Sequence, residues 1–106
     1  MPVADSRWQQ FELWREGVAH ALRGGLWLHR FELRGEAWAH LVSSDRTALL
    51  RAGEQLGMHE GWLQFRPLKD PASGQSVPAW HWDLRAERLT RALALAGPSV
   101  PAQHPR

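Results

Sequence analysis

The chain has 106 residues, with 13 Lys+Arg against 11 Asp+Glu and 43% hydrophobic residues, the size and balance of one soluble globular domain. It contains no cysteine, which excludes a disulfide framework, a thiolate metal site and a cysteine nucleophile. Its apolar runs are too short to cross a bilayer, and Met1–Arg7 lacks the apolar core of a secretory signal, so a cytoplasmic protein is expected.

Residues 6–23 read as a helix, with Trp8, Phe11, Trp14 or Arg15, Val18 and Leu22 on one stripe at helical spacing. Ser6 and Gln9 have the spacing of a capping box, and Gly24-Gly25 ends the run. Residues 26–33 alternate as a strand, with Trp27, His29, Phe31 and Leu33 on one face. Arg34-Gly35-Glu36 is a tight connection to a second strand, 37–42, which carries Trp38, His40 and Val42 together. A hairpin places His29 and His40 on the same face.

Ser43-Ser44-Asp45 offers N-caps for a helix at about 45–56, with Leu49, Ala52, Gly53 and Leu56 inward and Gly57 as its stop. A third strand spans 62–68, where Trp62, Gln64 and Arg66 alternate with Leu63 and Phe65; Pro67 marks its end or a sheet edge. Residues 69–78 hold two Pro, one Gly and two Ser and read as a flexible or extended loop. A fourth strand, 79–83, sets Trp80 and Trp82 on one face and His81 and Asp83 on the other. The last helix runs about 84–96 with Leu89, Ala92, Leu93 and Ala96 inward, and 98–106 reads as a disordered tail.

The predicted order is α-β-β-α-β-β-α. The expected fold is a single α+β domain over 1–97, a small four-stranded sheet with helices mainly on one face. Seven Trp stand beside three Phe and no Tyr, so Trp supplies much of the aromatic core. The high isoelectric point, near 10.4, reflects arginine chemistry: Lys69 is the single lysine, and few groups discharge between pH 8 and 10. Both halves are near balance, and no basic block advertises nucleic acid.

Several segments resemble, in order and spacing, short bacterial and phage proteins that form a domain-of-unknown-function family. These are Trp38-Ala39-His40-Leu41, Ser44-Asp45, Gly57, Trp62-Leu63-Gln64, His81-Trp82-Asp83-Leu84 and Arg91-Ala92-Leu93-Ala94-Leu95-Ala96-Gly97. The family carries W-x-H-L, W-F-Q, H-Y-D-L and R-x-x-A-x-x-L-G segments, and the resemblance covers about 26–97. Family members usually open on a V-Y-V-D strand. Here Leu26-Trp27-Leu28-His29 stands in that place with His29 for the acid, or Val3-Ala4-Asp5 does so across an insertion. The 69–78 loop is longer than the family's. The resemblance implies motif positions and a fold, and no activity.

His40, Gln64, His81 and Asp83 form the candidate polar site, with Trp38, Trp62 or Trp82 as walls. A His-x-Asp pair on one strand face allows a carboxylate to fix the tautomer and raise the basicity of the imidazole. His81 with Asp83 is the candidate acid–base pair, and His40 binds or polarises the ligand. The expected ligand is a small polar or phosphorylated molecule, with hydrolysis among the chemistries. His40, His81 and Asp83 are also an N,N,O set suited to a divalent metal. The competing role for Asp83 is capping the last helix.

Two other functions are carried as alternatives. Arg85, Arg88 and Arg91 recur on one face of the last helix beside Trp80 and Trp82, a pattern suited to phosphate contact and base stacking in nucleotide or nucleic-acid binding. The aromatic stripe of 6–23 suits a protein partner, or a second copy in a homodimer. No membrane association is expected.

Overall fold

The computed structural model describes residues 7–102. The fold is α+β, and its main sheet has six strands rather than four. The chain runs β1 (Trp8–Phe11), α1 (Trp14–Leu22), β2 (Leu26–Leu33), β3 (Glu36–Ser43) and α2 (Arg46–Leu56). A 3-10 turn (Glu60–Trp62) follows, then β4 (Gln64–Phe65), β5 (Leu68–Lys69), β6 (Ser76–Val77), β7 (Trp80–Arg85), α3 (Ala86–Ala96) and β8 (Ser99–Val100). The main sheet is ordered β4-β7-β3-β2-β1-β8, and β5 pairs with β6 in a separate ribbon.

The β2–β3 hairpin forms as its alternation predicts, with His29 opposite His40 and Phe31 opposite Trp38. Arg34 and Gly35 have φ of 52° and 77°, the positive values a two-residue type I′ turn needs to match strand twist. Strand β7 lies antiparallel to β3, with His40 opposite Asp83 and Val42 opposite His81. β4 then pairs with β7, with Gln64 opposite His81.

Because side chains alternate along a strand, these registers give the sheet two distinct faces. Leu26, Leu28, Ala39, Leu41, Trp82 and Leu84 form the larger buried core with Ala48, Leu49, Ala52 and Leu56 of α2 and Leu89 and Ala92 of α3. The opposite face carries the histidines. There α1 packs Val18 and Ala21 on Trp27 and Val42. Two helices therefore cover one face, and one helix partly covers the other.

Helix α2 starts where its caps predict: the Asp45 carboxylate accepts the Ala48 N–H at 3.0 Å. The Ser44 hydroxyl donates to the Ala21 carbonyl at 2.8 Å, tying the end of α1 to this corner. Five expectations are corrected. The helix expected over 6–23 begins at Trp14, because residues 8–11 join the sheet beside β2 in parallel; the proposed Ser6 cap lies outside the described residues. The third strand is short, and the 69–78 loop is closed by the β5–β6 ribbon, with Leu68 opposite Val77. Asp83 does not cap α3: β7 continues to Arg85, which takes the cap position with no side-chain bond. In the segment expected as a tail, Ser99–Val100 pairs with β1 in parallel.

Two mid-helix glycines sit directly on buried tryptophans. A Cβ on Gly17 would overlap the Trp27 indole, and one on Gly53 would lie 2.5 Å from Trp82 Cζ2. Glycine costs a helix interior about 1 kcal/mol relative to alanine, yet here close packing outweighs that preference. We expect Gly17→Ala and Gly53→Ala each to destabilise by about 1–3 kcal/mol, measured by urea unfolding. A neutral or stabilising result would mean that the helices stand further off the sheet.

Among the described residues no helix is long and apolar enough to cross a membrane.

Candidate functional site

Strands β3 and β7 deliver the site because their register sets His40 and Asp83 side by side and His81 one pleat further on. Asp83 is the hub. His40 Nε2 lies 3.0 Å and His81 Nε2 3.3 Å from its Oδ1. Gln64 reaches across from β4 and donates from Nε2 to Asp83 Oδ2 at 2.6 Å. The four residues singled out in the sequence therefore converge on one carboxylate. The His40 and His81 rings are 4.5 Å apart between centroids. The His81 side chain is nearly buried at 7% exposure, whereas His40 and Asp83 are about a third exposed at 33% and 37%.

Burial holds the His40 pKa below its ordinary value; the neighbouring His81 adds to this, Asp83 opposes it, and Arg66 lowers it further. The pKa of His81 is also lowered, first by burial, with Asp83 pulling upward and Arg66 downward. His29, burial aside, is lowered by His40. Desolvation thus outweighs the carboxylate and favours the neutral form of all three imidazoles. A neutral imidazole can accept a proton or ligate a metal.

A cavity of about 390 Å³ opens against this face, within the size range of small-ligand sites. Its floor is the sheet, including Trp27, His29, Phe31, His40 and His81; Trp14 and Val18 of α1 form one side and residues 66–69 the other. Trp14 is 60% exposed and meets the His29 ring edge-on at 4.8 Å. The charged residues lining this cavity, other than the histidines, are Arg66 and Lys69, both cationic. A larger groove of about 580 Å³ lies along β1 and β2. Its lining mixes Arg30 with Glu12 and Glu32 and shares only His29 with the histidine cluster.

The walls differ from expectation. Trp38 is on the histidine face, stacked near Phe31 and beneath the Arg85 guanidinium. It borders a second groove with Trp62, Gln64 and Asp83. Trp82 is on the opposite face, 1% exposed, and donates from its indole to the Leu49 carbonyl at 2.7 Å. It therefore belongs to the core and does not wall this site. Arg66 and Lys69 were not singled out as site residues. The alternation of Gln64 with Arg66 carried a signal for the first; nothing local marked Lys69.

The arginines of the nucleotide-binding alternative are engaged within the chain. Arg88 donates to the Leu56 and Gly57 carbonyls at the end of α2. Arg91 pairs with Glu87 and Arg85 with Glu36. In α1, Val18 and Ala21 face the chain's own sheet. His29 pairs in register with His40, while Asp5, the other candidate for the resembled family's acid position, lies outside the described residues. Compared with family models, curated proteins and solved structures, the chain matches none of them.

Proposed function

We propose that the cavity on the histidine face binds a small anionic molecule, a phosphate ester in the first instance, and that the His40–Asp83–His81 cluster performs acid–base chemistry on it. One observation carries this reading. Two desolvated histidines line the floor of a cavity whose other charged lining is cationic, and both are held on one carboxylate, Asp83, which borders the neighbouring groove. Arg66 and Lys69 attract the anion. A neutral imidazole held by Asp83 accepts a proton from a water as its oxygen bonds to phosphorus and the ester P–O bond breaks; Asp83 stabilises the imidazolium, which returns the proton to the leaving alcohol oxygen. Hydrolysis is the reaction class this arrangement fits. The aromatic lining from Trp14, Trp27 and Phe31 suits an organic group attached to the phosphate.

Nucleic-acid binding through α3 draws less support, because its arginines already have partners in the chain. Near-neutral charge also gives little of the phosphate neutralisation on which duplex affinity rests.

The test is thermal unfolding with inorganic phosphate and with AMP, on the wild type and on an Arg66→Ala/Lys69→Ala double variant. At ten times Kd a ligand stabilises by about 1.4 kcal/mol, a rise of about 6–10 °C for a domain of this size. We expect that rise with AMP in the wild type and a much smaller one in the double variant. No rise, or equal rises in both proteins, would overturn the reading.

A further inference from the structure

We infer that His40 Nε2, His81 Nε2 and Asp83 Oδ1 form a binding site for a divalent transition-metal ion of the zinc or manganese class, with its remaining coordination positions left free of protein ligands. The inference rests on the proposed anion site; with the ion bound, His40, His81 and Asp83 serve as its ligands, and their acid–base role belongs to the metal-free chain.

One donor atom from each of the three residues lies within 4.8 Å of the others. Donors bound at about 2.1 Å from a metal sit about 3.0 Å apart along an octahedral edge and about 3.4 Å apart along a tetrahedral one. The two imidazole nitrogens lie 3.0 and 3.3 Å from Asp83 Oδ1. Both nitrogens also address the same oxygen, so one ion placed there meets a donor from each of the three residues.

The carboxylate is prepared for this role. Gln64 donates to Oδ2, leaving Oδ1 to the ion, as outer hydrogen bonds commonly orient a ligating carboxylate. The donor set excludes calcium and magnesium, which take oxygen ligands. One aspartate leaves a bound divalent ion with net positive charge, and Arg66 adds to it. The filled site therefore demands an anion on the open positions. Metal and phosphate should bind cooperatively, each raising the other's affinity by the same factor.

The test is calorimetric titration of the full chain with Zn²⁺ in a non-chelating buffer at pH 7, with Mg²⁺ as control. The variants are Asp83→Asn and His40→Gln, each checked for folding by circular dichroism. His40 is a third exposed, so its replacement leaves the buried core untouched and stays informative if an Asp83 variant misfolds. The wild type should bind one Zn²⁺ per chain, and each folded variant should bind at least about 100-fold more weakly. Wild type that binds no Zn²⁺ at micromolar concentration, or a folded variant that titrates like the wild type, would overturn the inference. AMP added to zinc-free and zinc-loaded protein separates the two readings. AMP binding without any zinc binding defeats the metal site alone, and zinc binding without any AMP effect defeats the anion site alone.

Discussion

Replacing Trp82 by alanine should remove about 3–5 kcal/mol of stability, a third or more of what a domain of this size holds. Trp82 is 1% exposed and sits where the sheet meets α2. Its indole fills the space that Gly53 leaves and donates to the Leu49 carbonyl at 2.7 Å. Truncation therefore opens a cavity under α2 and removes a buried hydrogen bond together. Trp82→Phe retains most of the ring and should cost about 1–2 kcal/mol. Urea unfolding followed by far-UV circular dichroism would measure both, since the remaining tryptophans complicate fluorescence. A loss under 1 kcal/mol for the alanine variant would mean that α2 is held by other contacts.

Acidification should destabilise the fold through the histidine face. The pKa values of His29, His40 and His81 are all lowered from the ordinary 6.5, with burial the largest cause in each. Between that ordinary value and the lower folded one, the unfolded chain binds protons that the native chain does not. Stability is therefore intact above pH 6.5 and falls as pH drops through the folded values. The slope reaches at most about 1.4 kcal/mol per pH unit for each histidine. His81, nearly buried, should contribute most, and His40, a third exposed, less. Denaturant midpoints from pH 7.5 to 4.5 should fall in the wild type and fall less steeply in His81→Gln. Asp83→Asn removes the attraction that raises His40 and His81, so both rings should titrate still lower by NMR. Stability that stays flat from pH 6.5 to 5 would show that water reaches these rings freely.

The site was more legible in the sequence than the sheet that carries it. Alternation was enough to set His81 and Asp83 on one face of their strand; that His40 and Gln64 join them depends on strand pairing, which the registers of β3 and β4 against β7 supply. The hairpin and the α2 caps were legible because their signals are local: Arg34-Gly35 at the turn, Asp45 and Gly57 at the helix ends. The first and last strands were not. Trp8, Phe11 and Val18 satisfy a helical period, yet Trp8 pairs with Leu26 and Gln10 with Ser99. Pairing over such separation leaves no trace in a local window. Asp83 misled for a related reason. Its position before a helix suggests a cap, but the strand runs on to Arg85, and Ala86 makes the turn with φ of 52°. The carboxylate is then free to face the histidines.

The paired seats of Gly17 on Trp27 and Gly53 on Trp82 also constrain how this chain can drift under mutation. At each seat the two residues share one fixed volume. A larger side chain on the helix is accommodated only if the ring beneath it shrinks, and a smaller ring leaves a hole unless the helix residue grows. Single steps away from either pair lead through a less stable protein. Change at these places should therefore come as coupled substitutions, with the order of the two steps set by how much spare stability the ancestor carries.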